Sequence, residues 1–421
     1  AFIVLSSTIF MKFFWLLALL LLGVSTHAAP TTDLQPTVIL VAIDGFHPNY
    51  LTKYRAPNLN QLAQKGVRAR WMTPSYPTLT FPNFYTIATG LLPQNHGIVG
   101  NSIYDPNFDA TFGLSKREEV SNARWWGGEP IWVTAEKQGQ RAATYFFPGS
   151  EAPIGGIRPS FWKPFDEKVP NFERVDGILN WLDLPAAQRP TFFTVYFDEV
   201  DHAGHDAGPN SPEVAAAVAN VDAAVGRLVA GLGARGLVQS VNLVVVSDHG
   251  MTPQRATDVV LLDDYFELAR AQQVVWSGQI VGIFPKSGEE DAIYRALKAK
   301  MRHARVFRKA DVPARFRFNR GPRIAPLICI ADEGWAITQR SRFNEARAKT
   351  QGVRGAHGYD NRLKSMRAIF IAHGPAFKRG AVVKPFQNTE VYGVMTRILG
   401  LKPAPNDGTG RAMREVLRGE R

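Results

Sequence analysis

The chain has 421 residues and a single cysteine, Cys329. One thiol excludes an internal disulfide framework and any multi-cysteine metal site. Cys329 lies in the apolar run Pro-Leu-Ile-Cys-Ile-Ala and is expected to be a buried small hydrophobe. Past residue 24, no segment reads as long and apolar enough to cross a bilayer. There are no internal repeats, no low-complexity tract and no dense basic run with interleaved aromatics. The net charge is nevertheless +12, from 49 Lys+Arg against 37 Asp+Glu. Scattered arginines without a basic stripe favour small phosphorylated substrates over dedicated nucleic-acid binding. An apolar content of 45% excludes wholesale disorder.

Met11-Lys12 precedes an unbroken apolar stretch, Phe13 to Val24, and then Ser-Thr-His-Ala-Ala-Pro. These are the three parts of an export signal, with cleavage expected near Ala28 or Ala29. The residues before Met11 read as upstream sequence. An uncleaved anchor is the rival reading, because a span needs about 20 apolar residues and the first 24 nearly supply them. The expectation is an exported protein, in a periplasm, with no transmembrane span in the mature chain.

Thr37 to Ile43 (TVILVAI), Thr191 to Phe197 (TFFTVYF) and Val241 to Val246 (VNLVVV) are short apolar runs rich in β-branched residues. They read as buried strands, and Ala368 to Ala372 as a fourth. Helices are expected over Pro57 to Lys65, closed by Gly66, and from near Phe81 to Gly90. Ser211-Pro212-Glu213 supplies a cap, a first-turn proline and an early acid. Val214, Val218, Val221, Val225 and Leu228 then mark one apolar face of a long helix. Buried strands alternating with helices predict an α/β fold with a central, mostly parallel sheet and helices on both faces. Residues 261–350, basic and weakly periodic, break the rhythm and are expected to form an inserted subdomain. The core would then run over 36–260 and 351–408, with 1–29 as upstream residues and signal and 409–421 as a tail.

Sites in open α/β sheets form at the carboxyl ends of strands. Asp44 follows the first strand, Asp201 and His205 lie just past the second, and Asp248 and His249 follow the third. His357 sits in a Gly-flanked loop before the fourth. Carboxylate oxygen with imidazole nitrogen, and no thiolate, is the ligand mix of zinc or a similar divalent ion. Six such residues suit two ions about 3.5–4 Å apart, which stabilise both oxygens of an in-line phosphoryl displacement. Taken singly, each motif has a bland reading: Asp44-Gly45 as a turn, Asp201 and His205 as a helix-face pair, Asp248-His249 as loop. Their joint order favours function. His96, His202 and His373 read as loop or surface histidines, and His303 as solvated.

Thr80 precedes the second expected helix and is the candidate nucleophile. A threonine there is also a good cap, and a hydroxyl at a helix N-terminus lies where a phosphate would bind. Asn101 is a neutral donor for a non-bridging phosphate oxygen, or equally a turn residue. Phe81 and Tyr196 are core aromatics by default, either able to stack a base.

These residues resemble the nucleotide pyrophosphatase/phosphodiesterase family of the alkaline phosphatase superfamily. The resemblance rests on Ala42-Ile43-Asp44-Gly45, Thr80-Phe81-Pro82-Asn83, Thr89-Gly90-Leu91 with His96-Gly97, and Asn101. It continues through Pro148-Gly149-Ser150, Tyr196 to His205 with Gly208-Pro209, Ser247 to Met251, His357 to Asn361 and Pro403 to Asn406. It spans Val38 to Gly408 and implies an alkaline-phosphatase-like sheet. It also implies two zinc ions, one on Asp201, His205 and His357, the other on Asp44, Thr80, Asp248 and His249. Thr80 would form a covalent phosphodiester that water then hydrolyses. Asn101 and backbone N–H groups of the Thr80 region would hold the non-bridging oxygen, and Phe81 and Tyr196 would stack a base. The products would be nucleoside 5′-monophosphates. Without room for the extra domains of the larger animal relatives, the chain resembles a bare bacterial catalytic core. Phe84, where many members carry His, and Val200, where Pro often precedes the ligand, depart from the pattern.

The alternative keeps this metal chemistry and changes the substrate to glycerophosphodiesters, lysophospholipids or a phosphonate. A phosphomonoesterase would need further cations for the dianion. A sulfatase would need a Cys or Ser far from where Cys329 lies. A binding protein or inactive relative commonly loses a ligand or the nucleophile, and here all are present.

Overall fold

The computed structural model describes residues 34–419, so the export signal expected before Ala29 lies outside the described residues. Twelve strands build the two main sheets. In chain order they are β1 (Thr37–Ile43), β2 (Val67–Ala69), β3 (Ala142–Tyr145), β4 (Phe161–Lys163), β5 (Phe192–Phe197) and β6 (Val241–Val246). Then come β7 (Ala271–Trp276), β8 (Ile280–Pro285), β9 (Ala304–Arg308), β10 (Leu327–Ala331), β11 (Phe370–His373) and β12 (Ala381–Val383).

Eight of these make one sheet in the order β12-β2-β11-β6-β1-β5-β3-β4. All neighbours are parallel except those of β11, which runs antiparallel to β6 and β2. Every residue of β1, β5 and β6 is buried, as expected of strands covered on both faces. Helices flank the sheet, with Glu390–Leu399 packed on β1 and Asn171–Leu182 on β5.

Four helices matter below: α1 (Pro57–Lys65), α2 (Thr80–Thr89), α3 (Glu199–Ala207) and α4 (Pro212–Ala234). The Ser211 side chain caps α4 by accepting the Val214 N–H, and Val214, Val218, Val221, Val225 and Leu228 are all buried. By length and composition α4 is apolar enough to cross a membrane, contrary to the reading that no such segment follows the N-terminus. Its apolar face is instead packed against α1, α3 and Asn171–Leu182. From α4, buried Asp222 caps the start of α1. Its Oδ1 accepts the Leu59 N–H at 2.8 Å, and its Oδ2 accepts the Asn58 N–H at 3.1 Å and Nδ2 at 2.8 Å. This cap comes from 163 residues away, so α1 and α4 are fixed together.

Strands β7–β10 form a separate antiparallel sheet in the order β7-β8-β10-β9. With the helix Glu290–Lys300 it encloses its own apolar cluster, including Val281, Ile283, Ile293, Leu297, Leu327 and Cys329. Cys329 is fully buried and burial pushes its thiol up to about 12, so it packs as a hydrophobe.

Candidate active site

The carboxyl ends of β5, β1 and β6 lie side by side, so their following residues emerge about one strand spacing, 4.7–4.9 Å, apart. Asp44 follows β1 and its N–H donates to Phe197 O at 2.9 Å. Asp248 stands two residues past β6, where its Oδ1 accepts the Gly45 N–H at 3.1 Å. Asp201 is in the first turn of α3, just past β5. Gly45 has φ +66°, and a Cβ there would lie 3.0 Å from Asp201 Cα and Oδ1. Only glycine lets β1 and α3 approach this closely. His205 is one turn beyond Asp201. His357 follows a short strand, Val353–Ala356, which pairs antiparallel with Thr252–Arg255.

The ligand atoms of Asp44, Asp248 and His249 all lie within 4.8 Å of one another, as do those of Asp201, His249 and His357. His249 thus belongs to both groups, which the sequence did not indicate. His205 joins the second group, its Nε2 3.4 Å from Asp201 Oδ2 and 2.9 Å from His357 Nε2. The three imidazoles share one orientation. Nδ1 faces a backbone carbonyl in each: Gly355 O at 3.0 Å for His205, Gly250 O at 2.9 Å for His249, and Thr78 O at 2.9 Å for His357. Nδ1 therefore carries the hydrogen, and Nε2 turns a lone pair into the site. The approach of His205 to His357 is then lone pair to lone pair and not a hydrogen bond.

Asp44 Oδ1, Asp201 Oδ1 and Asp248 Oδ2 are buried without a hydrogen-bond partner. Burial, followed by neighbouring carboxylates, holds Asp44 and Asp248 well above the usual range. Burial, then His249 and His205, holds His357 well below. Orphaned carboxylate oxygens and converging lone pairs are costly alone and are both satisfied by cations. The donor set fits two divalent ions.

Thr80 opens α2 and is 7% exposed. It is not the cap: Leu79 holds that position with extended φ −116° and ψ 154°. The Thr80 hydroxyl instead stands 3.4 Å from His249 Nε2. Fully buried Asn83 fixes the loop that delivers it. Asn83 Oδ1 accepts the Ser75 N–H at 2.8 Å, and Nδ2 donates to Pro77 O at 2.9 Å and Leu79 O at 2.8 Å. The Phe81 N–H, expected among the groups that hold phosphate oxygen, donates to Asn101 Oδ1 at 3.0 Å. This leaves Asn101 Nδ2 as the donor available to the cavity it lines.

That cavity, about 310 Å³, reaches from Asp44, Thr80, Asp201, His205 and His357 to a rim where Arg117 donates to Glu151 at 2.5 Å. Tyr196 does not match its expected role as a base platform. It is 9% exposed and its hydroxyl donates to Asp44 Oδ2 at 2.5 Å, so it positions the Asp44 carboxylate. The partly exposed aromatics of the cavity are Phe81 and Phe165. Phe165 carried no sequence signal, because it lies in an irregular segment without periodicity. Buried Arg174 was likewise illegible; it donates to Tyr196 O at 2.8 Å and Asp198 Oδ1 at 2.6 Å, bracing the end of β5. Phe84, the departure from the family pattern, packs edge-on against Tyr196 at 5.5 Å.

Of the histidines set aside, His202 lines the cavity beside Asp198 at 3.3 Å, and His303 is exposed, stacked on Trp335. His373 ends β11 and is partly buried. His96 corrects its surface reading: it is fully buried, its Nδ1 accepts the Ile98 N–H at 3.1 Å, and burial pushes it down to about 3.

With this geometry in place, the profile of the family described as type I phosphodiesterase / nucleotide pyrophosphatase matches residues 38–360. The chain belongs to this family. It is 39% identical over 392 residues to ectonucleotide pyrophosphatase/phosphodiesterase family member 3 of Bos taurus, covering 91% of this chain and 44% of that protein. It is 40% identical over 395 residues to a venom phosphodiesterase of Crotalus durissus collilineatus, covering 91% and 47%. The chain thus spans about half the length of these relatives. Murine ectonucleotide pyrophosphatase/phosphodiesterase 5 superimposes with a TM-score of 0.85 at 32% identity, covering 90% of this chain and all of that one. A second structure of that protein, an inactive Thr-to-Ala variant in complex with AMP, matches with the same TM-score over 91% of this chain.

Proposed function

We propose that this family member is an exported, zinc-dependent phosphodiesterase/pyrophosphatase that releases nucleoside 5′-monophosphates. The observation that carries the reading is the Thr80 hydroxyl beside two carboxylate–imidazole groups that share His249. Thr80 Oγ bonds to phosphorus as the P–O bond to the leaving group breaks, and water then releases the monophosphate from Thr80. The start of α2 receives the phosphate, and Asn101 Nδ2 donates to a non-bridging oxygen. Phe81 and Phe165 hold the base. Asp201, His205 and His357 would hold one zinc ion and Asp44, Thr80, Asp248 and His249 the other, and the pair would supply charge stabilisation to the attacking and leaving oxygens. The AMP complex of the murine relative supports a nucleotide as occupant.

Among the described residues, Glu151 is the cavity carboxylate outside the candidate ligand groups and is paired with Arg117, so none of them offers a free anion to a choline headgroup. On this reading the protein is bacterial and periplasmic after cleavage near Ala28 or Ala29. Residues 261–350 then form a subdomain inserted into one core of 36–260 and 351–408.

The test is turnover of thymidine 5′-monophosphate p-nitrophenyl ester beside p-nitrophenyl phosphate and p-nitrophenylphosphocholine, with and without chelator. Chelator-sensitive preference for the nucleotide diester is expected. Preference for the choline ester would move the substrate to lipid headgroups, and preference for the monoester would make the protein a phosphatase.

A further inference from the structure

A second cavity, also about 310 Å³, lies behind the site and is lined by His205, Gln254, Ala256, Gln279, Arg354 and Gly355. Of these, only His205 also lines the main cavity. Contacts order the groups between the two. Thr80 Oγ1 is 3.4 Å from His249 Nε2, the His249 and His357 rings stack at 3.6 Å, and His357 Nε2 is 2.9 Å from His205 Nε2. Arg354 Nε then donates to His205 O at 3.1 Å. Thr80 stands at one end of this series and Arg354 at the other.

In an in-line displacement the attacking and leaving oxygens lie on opposite sides of phosphorus. If Thr80 attacks from the His249 end, a leaving group departing on the far side of phosphorus would meet His205, the residue that the two cavities share. Arg354 is the cation there. Its countercharge is weak: Asp206 Oδ1 is 3.5 Å from Nη2 on a side chain 80% exposed to solvent. Gln254 and Gln279 add neutral amides, and among the described residues no acidic side chain lines the space. Gly355 holds this wall tightly against α3, since a Cβ there would lie 2.2 Å from Gly204 O.

We propose that Arg354 and this second cavity form a subsite for an anionic leaving group, the pyrophosphate of a nucleoside triphosphate, and that Arg354 sets the preference for such substrates. The proposal rests on the phosphodiesterase reading above. Arg354 is partly exposed, so its contact with phosphate belongs at the low end of charged hydrogen bonds, about tenfold in affinity.

The experiment compares kcat/KM for ATP with that for thymidine 5′-monophosphate p-nitrophenyl ester in the zinc-loaded protein, Arg354→Ala and Arg354→Lys. Arg354→Ala is expected to lower the ratio of the two values about tenfold, and Arg354→Lys to restore most of it. A ratio that Arg354→Ala leaves unchanged overturns the proposal, whether both activities fall together or neither moves. Calorimetric titration of inorganic pyrophosphate into the same proteins decides independently of turnover. Weaker pyrophosphate binding by Arg354→Ala, with AMP binding retained, supports the subsite, and equal pyrophosphate affinity overturns it. Wild-type protein inactive on both substrates would refute the phosphodiesterase reading alone, because the titration still judges the subsite.

Discussion

Removal of divalent cations is expected to destabilise the fold, and more so at alkaline than at acid pH. Asp44 and Asp248 are 2% and 0% exposed, and their ligand oxygens lie within 4.8 Å of each other. At that distance and an effective dielectric of about 20, two carboxylates repel by about 3.5 kcal/mol. Burial and the neighbouring carboxylates raise both groups above the ordinary 3.8 when no cation is bound. The chelated folded protein therefore holds more protons than the unfolded chain above that value. Its stability falls as pH rises through the window and levels off once both groups ionise. A bound cation keeps both ionised, so the loaded protein gains stability over the same range. Over 386 described residues the unfolding entropy is about 0.8 kcal/mol/K, so 3.5 kcal/mol corresponds to about 4 °C in Tm. Thermal unfolding with and without EDTA, at about pH 5 and about pH 8, reads this directly. A gap of at least about 4 °C is expected near pH 8 and a smaller one near pH 5. A gap that narrows toward alkaline pH, or is absent, would refute the charge argument.

Thr80→Ala should lower turnover of the nucleotide diester at least about a thousandfold and leave metal stoichiometry near wild type; activity close to wild type would remove Thr80 as nucleophile. Phe165→Ala should cost about tenfold in kcat/KM on nucleotide diesters and far less on bis(p-nitrophenyl) phosphate. Equal losses on the two would count against base stacking there. Tyr196→Phe keeps the ring and deletes the bond to Asp44, so it should affect both substrates alike; a nucleotide-selective loss in Tyr196→Ala that Tyr196→Phe does not share would reinstate Tyr196 as a base platform. Asp222→Ala removes three hydrogen bonds at the start of α1 and should cost about 2–3 kcal/mol, read by denaturant unfolding, with the site unchanged. A loss below about 0.5 kcal/mol would mean α1 does not depend on that cap.

The core strands were legible because burial on both faces forces continuous β-branched runs. Val241–Val246 and Thr37–Ile43 occur in the structure at the bounds the sequence suggested. The candidate ligand residues were legible for a related reason, since each stands beside a strand end or in a glycine-flanked loop. What escaped was tertiary. The antiparallel sense of β11 depends on a connection, not on its own composition. His249 bridging two groups depends on where His357 arrives from a distant ribbon. Asn83 looked like one more motif residue, yet it bonds the backbone that presents Thr80. The role of Tyr196 was misjudged because an aromatic near a site has two useful ends, and only coordinates tell whether ring or hydroxyl is engaged.

The placement of Asp44, Asp201 and Asp248 beside three adjacent strands separates what this architecture can vary from what it cannot. The strands they follow are spaced by the hydrogen-bond pitch of the sheet, which every parallel strand pair reproduces. The aromatic and charged walls facing a substrate, Phe81, Arg117, Glu151 and Phe165, lie outside those three strands. Point changes in the walls can retune which molecule enters without moving a single ligand. A lineage carrying this scaffold is free to explore new substrates while its reaction chemistry stays locked to the periodicity of the backbone.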